Sequence, residues 1–73
     1  MYEEWVMSPF KVTLRRLTYS EDIYELIRGS DRHGHEVVGS IALIMGKEAA
    51  HKRFEQEKRL VMAEVAKIAM RLA

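Results

Sequence analysis

FKVTLRRLTY, residues 10–19, followed after Ser20-Glu21-Asp22 by IYELIRG, residues 23–29, is the stretch whose reading decides the fold. From Phe10 to Arg15 apolar and polar residues alternate: Phe10, Val12 and Leu14 against Lys11, Thr13 and Arg15. A period of two sends successive side chains to opposite faces of an extended chain, and aromatic and β-branched residues suit such a surface. A helical template also scores here, through Phe10, Leu14 and Leu17. The second run is more evenly balanced. As a helix it has Ser20 as N-cap, acidic residues in the first turn, Ile23, Leu26 and Ile27 on one face and Gly29 as terminator. As a strand it sets Tyr24 and Leu26 against Glu25.

The neighbours favour strands. Residues 30–35 (SDRHGH) are turn chemistry, and residues 35–43 (HEVVGSIAL) resume with Val37, Gly39, Ile41 and Leu43 on one face. Two such runs around a short polar segment containing Gly read as a hairpin. Upstream, residues 1–7 mix Tyr2, Trp5 and Val6 with Glu3 and Glu4, as a short strand or an ordered arm would. Trp5 is expected to cap the core, and Ser8-Pro9 to mark a boundary. Downstream of Gly46, the run KEAAHKRFEQEKRLVMAEVAKIAMRLA, residues 47–73, contains no Pro or Gly and consists almost entirely of helix formers. The expectation is an α+β fold: two or three antiparallel strands followed by one long C-terminal helix over 47–72, with Ala50 and Phe54 covering the sheet. The alternative is all-α, with helices near 9–18, 21–28, 35–45 and 47–72.

A chain of 73 residues makes one small domain, residues 1–73, with a core worth about 3 to 5 kcal/mol. It has no Cys, so disulfides and Cys-based zinc sites are excluded and association becomes the expected support; the composition fits a reducing cytoplasm. Twelve basic and eleven acidic residues leave a net charge of +1, which gives no general attraction for polyanions. The acidic start MYEEWV is unlike a secretory signal, and the longest apolar run, residues 41–45, is too short to cross a bilayer.

Chemistry-bearing patterns are sparse. Asp31-Arg32-His33-Gly34-His35-Glu36 places two His one residue apart, but the remaining His51 has no partner at i+4, so a solvated turn is expected rather than a metal site. No nucleophile with a base, paired carboxylates or phosphate-cradling glycines emerge, so neither a catalytic activity nor a cofactor is expected. Basic residues that could meet nucleic acid are Arg15, Arg16, Lys52, Arg53, Lys58 and Arg59. In a strand Arg15 and Arg16 point to opposite faces, and on the helix Glu55 and Glu57 interleave with the bases as on a solvated surface.

The strongest signal is the tail. Residues 51–59 (HKRFEQEKR) have Phe54 as their one apolar residue and read as a solvated segment. From Leu60 onward the polarity inverts, with Glu64, Lys67 and Arg71 confined to a narrow stripe. Phe54, Lys58, Val61, Val65, Ile68 and Leu72 step by fours and threes, the spacing of a helix–helix seam, and Met62, Ala66 and Ala69 widen it, with Met70 on the flank. The expected function is a small non-enzymatic protein-binding module, a regulator, adaptor or inhibitor of the sort phages also encode. It would be a homodimer through Phe54, Val61, Met62, Val65, Ile68, Ala69 and Leu72. The alternative is a small nucleic-acid-binding regulator using the basic residues above.

Overall fold

The computed structural model describes residues 2–30 and 39–72. Strands β1 (Tyr2–Met7), β2 (Phe10–Thr18), β3 (Ile23–Ser30) and β4 (Gly39–Met45) are followed by a single helix, α1 (Lys47–Leu72). The strands form one antiparallel sheet in the order β1-β2-β3-β4. The α+β expectation holds, and the strand reading of residues 10–28 prevails over the helical one. Four strands stand where two or three were expected, because the N-terminal segment pairs fully with β2, from Tyr2 opposite Arg15 to Met7 opposite Phe10.

Local chemistry explains the turns. Ser8-Pro9, whose peptide bond is cis, closes the first hairpin in two residues, since Met7 faces Phe10 directly. Between β2 and β3, the Ser20 N–H donates to Thr18 Oγ1 at 3.1 Å and the two hydroxyls lie 2.9 Å apart. Asp22 takes the left-handed backbone region at φ 51°, which Asp tolerates better than most residues. The polar stretch 20–22 is thus a turn and not a helix start. A second left-handed residue, Gly46 at φ 95°, redirects the chain from β4 into α1. Its N–H donates to the Asp22 carbonyl at 2.9 Å, and its own carbonyl accepts the first helical bond from Ala50 at 3.0 Å. The two turns at this end of the sheet are therefore tied together.

Alternation sorts the strands into two faces. Trp5, Met7, Phe10, Val12, Leu14, Tyr24, Leu26, Ala42 and Ile44 lie on the side that receives the helix. Val12, Leu14, Tyr24 and Leu26 are buried there together with Ala50, Phe54 and Val61 of α1, while Trp5 packs half-buried at the border. In β4 the helix side is taken by Ala42 and Ile44, so Leu43 projects from the opposite face and Ile41 sits in an irregularity where Leu26 pairs with Ala42 but Ile27 with Ser40. The expected placing of Gly39, Ile41 and Leu43 on one face is corrected accordingly, since the irregularity sets Gly39, opposite Arg28, out of phase with Leu43, opposite Glu25; Val37 lies outside the described residues.

The helix is longer than the sheet it covers. At about 1.5 Å per residue its 26 residues reach roughly 39 Å, whereas the strands, six to nine residues each, span roughly 20 to 30 Å. The molecule is accordingly elongated, 49 × 26 × 15 Å. Truncating the core should show where stability resides. Leu26→Ala and Phe54→Ala are each expected to lose about 3 to 5 kcal/mol, enough to unfold much of the population of a domain this small. Leu43→Ala, on the uncovered face, should shift the urea midpoint little by comparison.

Candidate interaction surface on the long helix

Three zones succeed one another along α1. At its start, His51 bridges to β1: its Nδ1–H points to the Lys47 carbonyl at 2.9 Å and its Nε2–H to Glu3 Oε1 at 3.0 Å. Two acceptors call for two N–H donors, which only the imidazolium supplies. The hydrogen bond donated to Glu3, followed by that donated to the Lys47 carbonyl, therefore raises the His51 pKa above its ordinary value. A folded-state pKa above the unfolded one stabilises the fold below about pH 6.5, and that contribution fades as pH rises through the raised value. Both partners are partly solvated, so the effect is small. Thermal unfolding of the wild type should show a small loss of stability as pH rises above about 6.5 that His51→Gln abolishes.

In the middle zone a charge is buried. Glu57 is 3% exposed, on the sheet-facing side of α1 between Phe54 and Val61. Its carboxylate accepts from Arg28 of β3 at 3.4 Å and from Arg53 at 3.2 Å. Arg28 also reaches Glu64 about two turns further on, and its guanidinium lies 5.0 Å from the Phe10 ring. The expectation of a solvated 51–59 segment is corrected at Glu57: Phe54 covers the sheet as expected, but Glu57 is buried beside it, and the sheet-facing line runs through Glu57 rather than Lys58. The signal was in the spacing, since Ala50, Phe54, Glu57 and Val61 step by four, three and four. A carboxylate at one of those positions implied a cation on the sheet, and Arg28 is the basic residue of β3. Arg28→Met leaves Glu57 short of a partner and should cost about 3 to 5 kcal/mol in a chemical-denaturation series. Adding Glu57→Leu to it should recover most of that loss.

The last zone is the tail. On the sheet-facing line exposure climbs with distance from the sheet: Val61 is 0% exposed, Val65 half-buried, Ile68 41% and Leu72 84% exposed. Met62 and Ala69 lie exposed beside this line, Leu60 is half-exposed on the other flank, and Met70 faces away. Of the seam residues read from sequence, Phe54 and Val61 are thus consumed in the chain's own core. Met62, Val65, Ile68, Ala69 and Leu72 remain at the surface.

The basic candidates are dispersed. Arg15, on the uncovered face, holds Glu25 at 2.6 Å. Arg16 points the other way, to Asp22 at 3.3 Å, to the Thr18 and Tyr19 carbonyls, and over the Tyr19 ring at 4.9 Å. The buried Tyr24 beside it has its hydroxyl pKa raised, chiefly by desolvation and secondly by Asp22. Lys58 lies 2.8 Å from Glu55 and over the Phe54 ring, and Arg53 is committed to Glu57. Lys52 and Arg59 make no ion pair among the described residues.

The sequence reading missed a second apolar surface, on the uncovered face of the sheet, where Val6, Leu17, Leu43 and Met45 are well exposed. Its signal was the absence of any charge in β4 (GSIALIM), which leaves apolar residues on both faces. Among the described residues no three His, Cys, Asp or Glu side chains are grouped to hold a metal ion, and no helix is long and apolar enough to cross a membrane. His33 and His35, for which a solvated turn was expected, lie outside the described residues. No family model, curated protein or solved structure matches this chain.

Proposed function

We propose that the chain is a small non-enzymatic protein-binding module, acting in the cytoplasm as a regulator, adaptor or inhibitor, and that it is a homodimer through the C-terminal third of α1. One observation carries this reading: the sheet-facing line of the helix stays apolar after the sheet has ended, through Val65, Ile68 and Leu72. A line that only served the intramolecular core would turn polar where its cover stops. Burying a large apolar side chain is worth roughly 1.5 to 3 kcal/mol, a substantial gain for a domain with one small core. A cysteine-free composition fits the reducing compartment.

The nucleic-acid alternative draws less support, because Arg15, Arg16, Arg53 and Lys58 are already engaged with carboxylates and their side chains are spread over separate faces. A phosphate-driven complex would weaken steeply with rising salt, whereas apolar association would not.

The dimer makes stability depend on concentration. The wild-type melting temperature should rise from low to high micromolar protein, and Val65→Glu with Ile68→Glu should remove that dependence, since the new carboxylates would enter the interface unpaired. Sedimentation of the wild type as a well-folded monomer at high micromolar concentration would end the homodimer reading and leave the tail to a different protein.

A further inference from the structure

We infer that two copies pair their tails antiparallel, each tail lying in the step beneath the other's overhang; this rests on the homodimer reading and adds its geometry. The direction of the apolar line decides the matter first. At about 100° per residue, Val65, Ile68 and Leu72 fall within roughly 40° of Val61, so the uncovered part of the line faces the same way as the part lying on the sheet. A second helix packed on it, about 8 to 10 Å away, must lie in the layer that the sheet occupies further down. If that helix ran parallel and in register, its own N-terminal half would continue into the volume of β2 and β3. If it runs antiparallel, the N-terminal half continues past Leu72, clear of the described residues of the first copy, and its sheet closes over the far end of the first helix. Only the antiparallel arrangement leaves both sheets room.

Side-chain chemistry selects the same direction. With Val65 of each copy against Ile68 of the other, Glu64 of one meets Arg71 of its partner, twice by symmetry, on one flank of the line. On the other flank Met62 meets Ala69, a long side chain against a short one, again twice. Parallel pairing would set Glu64 beside Ala69 and give neither charge an opposite. Glu64 has room for this second role because its carboxylate, although it already accepts from Arg28, is about half-exposed. Leu72 of the second copy then arrives at the end of the sheet, where Met7 and Phe10 are only half-buried and Arg28 lies over the Phe10 ring. The overlap involves about two helical turns per copy. That is less than the roughly 1,200 Å² of a standard interface, so the dimer is expected to exchange rapidly.

Because the chain has no cysteine, introduced thiols report on this geometry without background. Copies carrying Met62→Cys and copies carrying Ala69→Cys, distinguished by mass tags, are mixed and treated with the shortest thiol-bridging reagent. In the antiparallel dimer the mixed pair faces across the interface. Two copies of Met62→Cys, or two of Leu72→Cys, are held roughly 13 and 16 Å apart along the axis. The mixed pair should therefore be bridged several-fold faster than either variant with itself. Faster bridging of Leu72→Cys with itself than of the mixed pair would show a parallel pair, overturning this inference while the homodimer stands. No bridging in any sample, with a wild type that sediments as a dimer, would place the contact on another surface and also overturn it. No bridging together with a monomeric wild type would overturn both.

Discussion

The structure depends on one helix covering one face of a four-stranded sheet. Ala50, Phe54 and Val61 meet Val12, Leu14, Tyr24 and Leu26, and these seven side chains form the buried core. Ala50 is small enough to let the start of α1 come close to the strands, Phe54 fills the centre, and Val61 closes the far end. A core of this size supports only marginal stability, so the surrounding devices matter out of proportion to their number. Gly46 sets the direction in which α1 leaves β4, and its hydrogen bond to Asp22 fixes that direction relative to the β2-β3 turn. His51 with Glu3 holds the first turns of α1 to β1 at one edge, and Arg28 with Glu57 holds the middle to β3.

The Glu57 site shows a constraint beyond adhesion. A buried carboxylate between two guanidiniums adds little net stability compared with an apolar residue, because desolvation of the charges offsets most of their attraction. It does penalise misplacement. If α1 slid by one turn along the sheet, Glu57 would leave Arg28 and Val61 would leave its pocket together. The apolar contacts alone, Ala and Val at either end of one Phe, would tolerate such a slip more readily. Since the length of the overhang depends on that register, the position of the exposed tail is set by a charge pair in the middle of the helix.

Much of this was legible in the residues. The alternation of Phe10, Val12 and Leu14 marked β2, the absence of Gly and Pro after Gly46 marked α1, and Ala50 and Phe54 were recognisable as covering the sheet. The N-terminal segment was harder, because Trp5 beside Glu3 and Glu4 is compatible with an arm; pairing with β2 is a nonlocal fact. In β4 the apolar residues run consecutively from Ile41 to Met45, so no period shows which set faces inward, and the irregularity at Ile41 moves the phase within the strand. Glu57 was hidden for a similar reason. A charged residue in a charged segment reads as solvated until the cation on the facing strand is known. For the tail, spacing placed Val61, Val65, Ile68 and Leu72 on one line, but only the end of the sheet divides it into an intramolecular part through Val61 and an exposed part from Val65.

Two apolar surfaces are candidates for the association proposed above, and their construction differs. On the uncovered face of the sheet, Leu43 and Met45 share the surface with Arg15 paired to Glu25 and Lys11 near Glu4, so any partner must also accommodate those charges. The free edge of β4 lacks charged side chains, yet the bulge at Ile41 interrupts the ladder that an added strand would need, a common guard against edge pairing. The opposite edge, β1, carries Glu3 and Glu4. The tail has no comparable guard. Its charges stand to one side of an unbroken apolar line, and Glu64 and Arg71, opposite in sign and seven residues apart, complement a second tail running the other way. An apolar surface framed by its own electrostatic complement is suited to meeting a copy of itself, which is why the proposed association is placed on the helix rather than on the sheet.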